Sequence, residues 1–250
     1  MAAAPDSPST TTATTAAFCA ELVGTFMLTF SGTATVLAVH ELSPHEGFTV
    51  LDDIAISLAF AMGIVAAVYT VAAVSGAHIN PAVTVALAVV RRFPWRQVPV
   101  YLAAQLAGAI LAALVNRFLF AGQVSPQLIL GSTSPGPQVA FTTALLAEFV
   151  ITLVLMLVVM ATAVFERAPG GASTAGLAIG LWVGAAVFLS LPISGGSLNP
   201  ARTLGPDIVA LQFPYWWIYI VGPTAGAIVG AALWTFVLGR GSKETVEHAG

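Results

Sequence analysis

Long apolar runs broken by short polar connections dominate this chain. Six runs reach the roughly 20 residues that an α-helix needs to cross a bilayer. They lie near 18–39, 51–74, 98–120, 140–164, 174–193 and 213–238. Two more, near 81–90 and 200–210, are too short to cross. At about 1.5 Å of rise per residue, such a run reaches roughly halfway through the hydrocarbon, so the pattern predicts two half-helices. The backbone leading into each then lies at membrane depth without regular hydrogen bonding. That is tolerated only where protein or a water-filled cavity satisfies the polar groups, so these loops are expected to line a wet path.

The two short runs open alike, with Asn80-Pro81-Ala82 and Asn199-Pro200-Ala201. Similar frames precede them, Ser75-Gly76-Ala77-His78-Ile79 and Ser194-Gly195-Gly196-Ser197-Leu198. One Asn-Pro-Ala is an ordinary helix start. Two, in corresponding positions of two membrane-embedded halves, point to a binding or conduction site at the bilayer midplane. The first span also carries Ala20-Glu21-Leu22 where the fourth carries Ala147-Glu148-Phe149. Three spans per half is an odd number, so the second half inserts upside down. The expected fold is an all-α membrane protein with six transmembrane helices, two half-helices and an inverted 3+3 repeat. Repeat one covers about 18–120 and repeat two about 140–238. The half-helices enter from opposite faces and their Asn-bearing ends meet near the bilayer centre. Small residues every fourth position (Gly176, Gly180, Gly184; Gly222, Gly226, Gly230; Ala59, Gly63, Ala67) let helix backbones approach closely in lipid.

Composition agrees. The chain is 58% hydrophobic and 8% charged, with mean hydropathy +0.92, whereas a soluble domain carries about a quarter charged residues. A net charge of −3 gives no case for nucleic acid. The single Cys19 excludes an intramolecular disulfide and any multi-Cys metal site. Residues 1–17, rich in Ala, Ser, Thr and Pro, lack the basic region of a signal peptide and read as a disordered tail, as do 239–250. Arg91, Arg92, Arg96, Arg167, Arg240 and Lys243 fall on one side if both termini are cytoplasmic, as the positive-inside rule asks. The loop between spans one and two is acidic, with Glu41, Glu46, Asp52 and Asp53. These signs predict a multi-pass protein of the cell membrane.

Asn80 and Asn199 can each cap their own half-helix through the side-chain oxygen, leaving the amide N–H₂ to point into the path as a donor. Both helix N-termini carry partial positive charge. Two such ends facing one point repel cations and orient a water chain, which admits neutral hydroxylated solutes. Glu21 and Glu148 are ionisable groups inside spans, for which function is the default hypothesis. They read as acceptors for the backbone N–H groups of the irregular loops; a proton relay is the sharper alternative. Arg202, on the first turn of the second half-helix, offers fixed donors and a permanent charge. His78 is expected to hold its loop through a hydrogen bond. His40, His45 and His248 have no metal spacing, and no cofactor is expected. No catalytic or phosphate-binding set supports an enzyme. A coupled secondary transporter also uses inverted repeats and broken helices, and an occluded structural membrane protein is a third class.

Together, Ala20-Glu21-Leu22-Val23-Gly24-Thr25, Ser75 to Thr84, Ala147-Glu148-Phe149 and Asn199-Pro200-Ala201-Arg202 resemble the aquaporin, or major intrinsic protein, family over residues 18–238. The resemblance implies a homotetramer with one pore per subunit, a right-handed six-helix bundle and passive flow. It also implies an outer constriction, which spacing from the two Asn residues places on Phe60, Val187, Gly196 and Arg202. Strict water channels usually place His where this chain has Val187, and Gly196 adds no side chain, so the constriction should be wider and less polar. Classical glycerol facilitators usually have a second aromatic at the place of Gly196 and an Asp soon after the final Arg, and with Gly196 and Thr203 this chain departs from that pattern too. Ile193 to Pro206 and Tyr219-Ile220 look most like the nodulin-26-like branch and its bacterial relatives, associated with water, glycerol and uncharged boric and arsenous acids. Asp207 departs from the usual small residue. A strictly water-selective channel is the alternative within the family.

Overall fold

The computed structural model describes residues 10–42, 49–121 and 130–241. Among these the architecture is helical. Six long helices are α1 (Thr10–Leu42), α2 (Val50–Ser75), α4 (Val98–Leu119), α5 (Phe141–Val159), α6 (Ala175–Ser194) and α8 (Trp216–Leu233). Two short ones are α3 (Pro81–Val89) and α7 (Pro200–Ala210), and a single turn, α9 (Gly239–Gly241), follows. The spans inferred from hydropathy match these elements with one marked difference. Helix α1 starts at Thr10, so residues 10–17 are helical rather than part of a disordered tail. Ala13, Ala16 and Ala17 are strong helix formers, and the Thr residues among them do not stop the helix. Residues 1–9 and 242–250 lie outside the described residues, as do Lys243, His45, Glu46 and His248.

Local chemistry fixes several ends. Asp52 and Asp53, read as loop residues, form the first turn of α2. Thr49 and Asp52 make a capping box: the Asp52 carboxylate accepts from the Thr49 backbone N–H at 2.7 Å, and the Thr49 hydroxyl accepts from the Asp52 N–H at 3.3 Å. Such a cap stabilises a helix by about 1 kcal/mol. Helices α5 and α8 each end in one π-helical turn, Met160–Val164 and Trp234–Leu238.

The packing follows the repeat. Helix α1 lies on α4 in one half and α5 on α8 in the other, while each half-helix packs on the last long helix of the opposite half, α3 on α8 and α7 on α4. Helices α2 and α6 join the halves. The closest approaches need glycine. A Cβ on Gly108 of α4 would stand 2.2 Å from the Leu22 carbonyl oxygen of α1, and one on Gly226 of α8 would stand 2.1 Å from that of Phe149 in α5. The basic residues of one side gather: the Arg92 and Arg167 guanidiniums lie 4.4 and 5.4 Å from the Phe165 ring centroid, and Arg167 donates to the Gly239 carbonyl. Arg117 takes no part in this cluster; it bonds the Val209 carbonyl at the end of α7.

These contacts make Gly226→Val an overpacking change at a backbone–backbone crossing. A loss of about 1–3 kcal/mol or more is expected, read as a lower unfolding midpoint in detergent. Leu181→Ala, at a side chain 64% exposed, should leave that midpoint within error.

Candidate functional site

The two loops meet at the centre of the molecule, and their backbone is bent to make them meet. Gly76 and Gly195 end α2 and α6 in the left-handed conformation, with φ of 83° and 78°. Ala77, Ile79 and Leu198 then also take positive φ, at 50°, 44° and 56°. For a β-branched residue such as Ile79 this is strained, at a cost on the order of 1–3 kcal/mol. The bend turns the Ile79 and Leu198 carbonyls towards the opposite half.

Asn80 and Asn199 use those carbonyls. Each side-chain oxygen caps its own half-helix, Asn80 accepting from Ala82 N–H at 2.9 Å and Asn199 from Ala201 at 2.9 Å and Arg202 at 3.3 Å. Pro81 and Pro200 follow at the first helical position, where no N–H is missed. The amide groups are not wholly free for the path, as the sequence reading has them. Asn80 Nδ2 donates to the Leu198 carbonyl and Asn199 Nδ2 to the Ile79 carbonyl, both at 2.8 Å. One hydrogen of each amide therefore ties the halves together, and the second remains for whatever passes.

Two buried carboxylates hold the loops. Glu21 accepts from the backbone N–H of His78 at 2.9 Å and of Ile79 at 2.6 Å, from the Ser75 hydroxyl and from Gln105 Nε2, both at 2.7 Å. Glu148 accepts from the N–H of Ser197 at 2.9 Å and of Leu198 at 2.8 Å and from the Ser194 hydroxyl at 2.8 Å. Both glutamates are fully buried. Each carboxylate accepts two consecutive loop N–H groups and the serine hydroxyl that ends the preceding helix, an arrangement suited to support rather than proton relay. The His78 ring reaches Thr84 on α3 at 3.1 Å and packs against Phe93 and Tyr101.

A cavity of about 390 Å³ runs past this junction. Asn80 and Asn199 line it, as do Arg92, Phe60, Val187 and Arg202. The Arg202 guanidinium stacks 4.7 Å from the Phe60 ring centroid and donates through Nη1 to the Gly131 carbonyl at 3.0 Å. Phe60, Val187 and Arg202 are each no more than 2% exposed. The structure thus brings three of the four expected constriction residues together on one cavity. Gly196 is buried at φ 62°, and a Cβ on it would stand 3.1 Å from the Val187 Cα. A side chain there would crowd α6, so the glycine serves the fit of the loop against that helix.

Several contributors escaped the sequence reading. Gln105 is the fourth partner of Glu21. Tyr101 and Tyr219 donate to the carbonyls of Ser75 and Ser194, both at 2.8 Å; their nearly equal distances past Asn80 and Asn199 are a repeat signal that could have found them. Gly32 on α1 has no such signal. A Cβ there would lie 2.1 to 2.3 Å from three atoms of the Phe60 ring, so Gly32 sets where that ring can sit. Chemically, the arrangement offers amide and guanidinium donors on a mostly apolar wall, with two positive helix ends facing each other. It suits small, neutral, hydroxylated molecules.

Residues 8–234 match the model of the family described as Major intrinsic protein. The chain is 43% identical over 221 residues to "Aquaporin NIP1-3" of Oryza sativa subsp. japonica, covering 88% of this chain and 72% of that protein. It is 41% identical to "Probable aquaporin AqpM" of Archaeoglobus fulgidus, covering 88% and 96% respectively. Among solved structures it is similar to the aquaglyceroporin from Plasmodium falciparum, with a TM-score of 0.80, 26% identity, and coverage of 90% of this chain and 97% of that one.

Replacing Glu148 tests the loop support. Glu148→Ala leaves two backbone N–H groups and one hydroxyl without their acceptor, and each unmet buried donor costs about 1–3 kcal/mol. Glu148→Gln keeps one acceptor oxygen. Unfolding midpoints in detergent should fall in the order wild type, Glu148→Gln, Glu148→Ala.

Proposed function

The chain belongs to the major intrinsic protein family, and we propose that it passes glycerol and uncharged metalloid acids such as arsenous and boric acid as well as water. It is a membrane channel for water and small neutral solutes, not an enzyme. The observation that carries the wider solute range is Val187, a buried apolar side chain that lines the same cavity as Phe60 and the Arg202 guanidinium. An imidazole there would add bulk and a donor. The likeness to the Plasmodium falciparum aquaglyceroporin supports the same reading.

In this mechanism Phe60 supplies an apolar wall for the carbon face of the solute and Arg202 binds its hydroxyl oxygens. Asn80 and Asn199 donate to it again at the midplane, each with its remaining amide hydrogen. The facing N-termini of α3 and α7, with Arg202, reject cations and hold a passing water chain with its oxygens inward, which interrupts proton transfer. Pro81, Ala82, Pro200 and Ala201 form the first turns that aim those termini. Glu21, Glu148 and His78 support the loops. Residues 18–238 act as one channel unit, assembled as a homotetramer with one pore per subunit in the cell membrane. The clustering of Arg92 and Arg167 at one end supports an orientation with both termini cytoplasmic.

Stopped-flow light scattering of proteoliposomes under an inward glycerol gradient, beside an impermeant osmolyte, tests this. Fast shrinkage followed by fast reswelling is expected; slow reswelling would indicate a strictly water-selective channel. Val187→His should lower glycerol permeability roughly tenfold, equivalent to about 1.4 kcal/mol of barrier, with a smaller change for water. Unchanged glycerol flux in that variant would count against Val187 as a constriction residue. Gly196→Cys is a poor probe, because strain at its positive φ would be confounded with width.

A further inference from the structure

The constriction arginine does not hold its position alone. Beside it on α7 is Asp207, fully buried, one carboxylate oxygen accepting from the Ser132 hydroxyl at 2.6 Å and the other without a hydrogen-bond partner among the described residues. A small residue would fill this place without burying a carboxylate, which is expensive at membrane depth. Its one partner shows what it does. Three side chains of α7 grip three successive residues of the segment before α5. Arg202 donates to the Gly131 carbonyl at 3.0 Å, Asp207 takes the Ser132 hydroxyl, and the Thr203 and Thr133 hydroxyls meet at 2.6 Å. The Ser132 hydroxyl also approaches the Thr203 carbonyl at 3.2 Å. Gly131 itself has φ 75°, and a Cβ there would stand 2.8 Å from that of Thr33 on α1, so its carbonyl is wedged between α1 and α7.

We propose that Asp207 is a positioning residue for solute selection. By holding Ser132 it fixes the adjacent Gly131 carbonyl, and that carbonyl holds the Arg202 guanidinium over Phe60. The inference rests on the reading of Arg202 as a constriction residue. Asp207 does not touch the solute. Without it the 131–132 backbone relaxes, Arg202 Nη1 loses a fixed acceptor, and the guanidinium leans more on its contact with the Phe60 ring. The passage then discriminates less by size. This role needs an acceptor oxygen at position 207 rather than bulk alone.

The test is the ratio of glycerol to water permeability in proteoliposomes of equal protein density, for Arg202→Ala, Asp207→Ala, Asp207→Asn, Ser132→Ala and the double variant Asp207→Ala/Ser132→Ala. Asp207→Ala should raise the ratio roughly two- to tenfold, the range that one hydrogen bond supplies. Asp207→Asn, which keeps an acceptor, should restore most of the wild-type ratio. Ser132→Ala removes the same contact together with the longer approach to the Thr203 carbonyl, so it should raise the ratio at least as far as Asp207→Ala, and the double variant should go no further than Ser132→Ala alone. If Asp207→Ala does not yield monodisperse protein, Ser132→Ala carries the test alone. A changed ratio in Arg202→Ala with an unchanged one in Asp207→Ala or Ser132→Ala overturns the positioning role only. Additive effects of the two single changes also overturn it. An unchanged ratio in Arg202→Ala removes the constriction reading and this inference with it.

Discussion

Everything in this molecule depends on keeping irregular backbone at membrane depth without leaving its polar groups unmet. Hydrocarbon offers no hydrogen bonds, and each orphaned group costs several kcal/mol there. The solution is built twice. One buried glutamate per half accepts two consecutive loop N–H groups, and one asparagine per half spends its oxygen on its own helix start and an amide hydrogen on the other half's carbonyl. The same bonds that satisfy the loops therefore also join the halves. Positive φ at Ala77, Ile79 and Leu198 is the conformational cost of aiming the carbonyls, and the glutamates offset it by holding the N–H groups of His78, Ile79, Ser197 and Leu198 in place.

Close helix packing provides the frame that makes this possible. Lipid supplies little hydrophobic drive for helices to associate, so the gain comes from backbone proximity. Gly108 and Gly226 occupy equivalent crossings, α4 on α1 and α8 on α5, and both face a carbonyl oxygen. Each crossing fixes the distance between the glutamate-bearing helix and the helix that carries Tyr101 or Tyr219. Those tyrosines then tie down the carbonyl of the last residue in α2 or α6. The two halves differ in detail. Gln105 adds a fourth bond to Glu21, whereas Glu148 has three bonds among the described residues.

Where Arg202 meets Phe60 on the cavity wall, position matters more than residue type. A guanidinium can donate to oxygens over a wide arc; it can discriminate by size only if it is held. Here it is held by stacking on Phe60 and by a carbonyl that α1 and α7 confine. Phe60 in turn is held because Gly32 leaves room for its ring. Val187, on the same cavity, is apolar, and its side chain can be exchanged without breaking a side-chain hydrogen bond.

The sequence by itself determined the number and extent of the spans, the two half-helices, the caps at Asn80 and Asn199, and the partnership of a buried glutamate with each loop. These are local or periodic properties. Hydropathy over about 20 residues sets a span, and an Asn-Pro pair sets a helix start. Residues 10–17 misled because composition alone does not distinguish a Thr/Ala-rich tail from the first turns of a long helix. Only the tertiary structure decided which carbonyl each asparagine amide reaches, since those partners lie 118 and 120 residues away along the chain. It also decided that Gly196 serves loop packing, that Gly32 seats Phe60, and that Asp207 and Arg202 grip neighbouring residues of one segment. Such contacts depend on left-handed loop residues and on sub-ångström fits between helices, and neither leaves a periodic mark in the sequence.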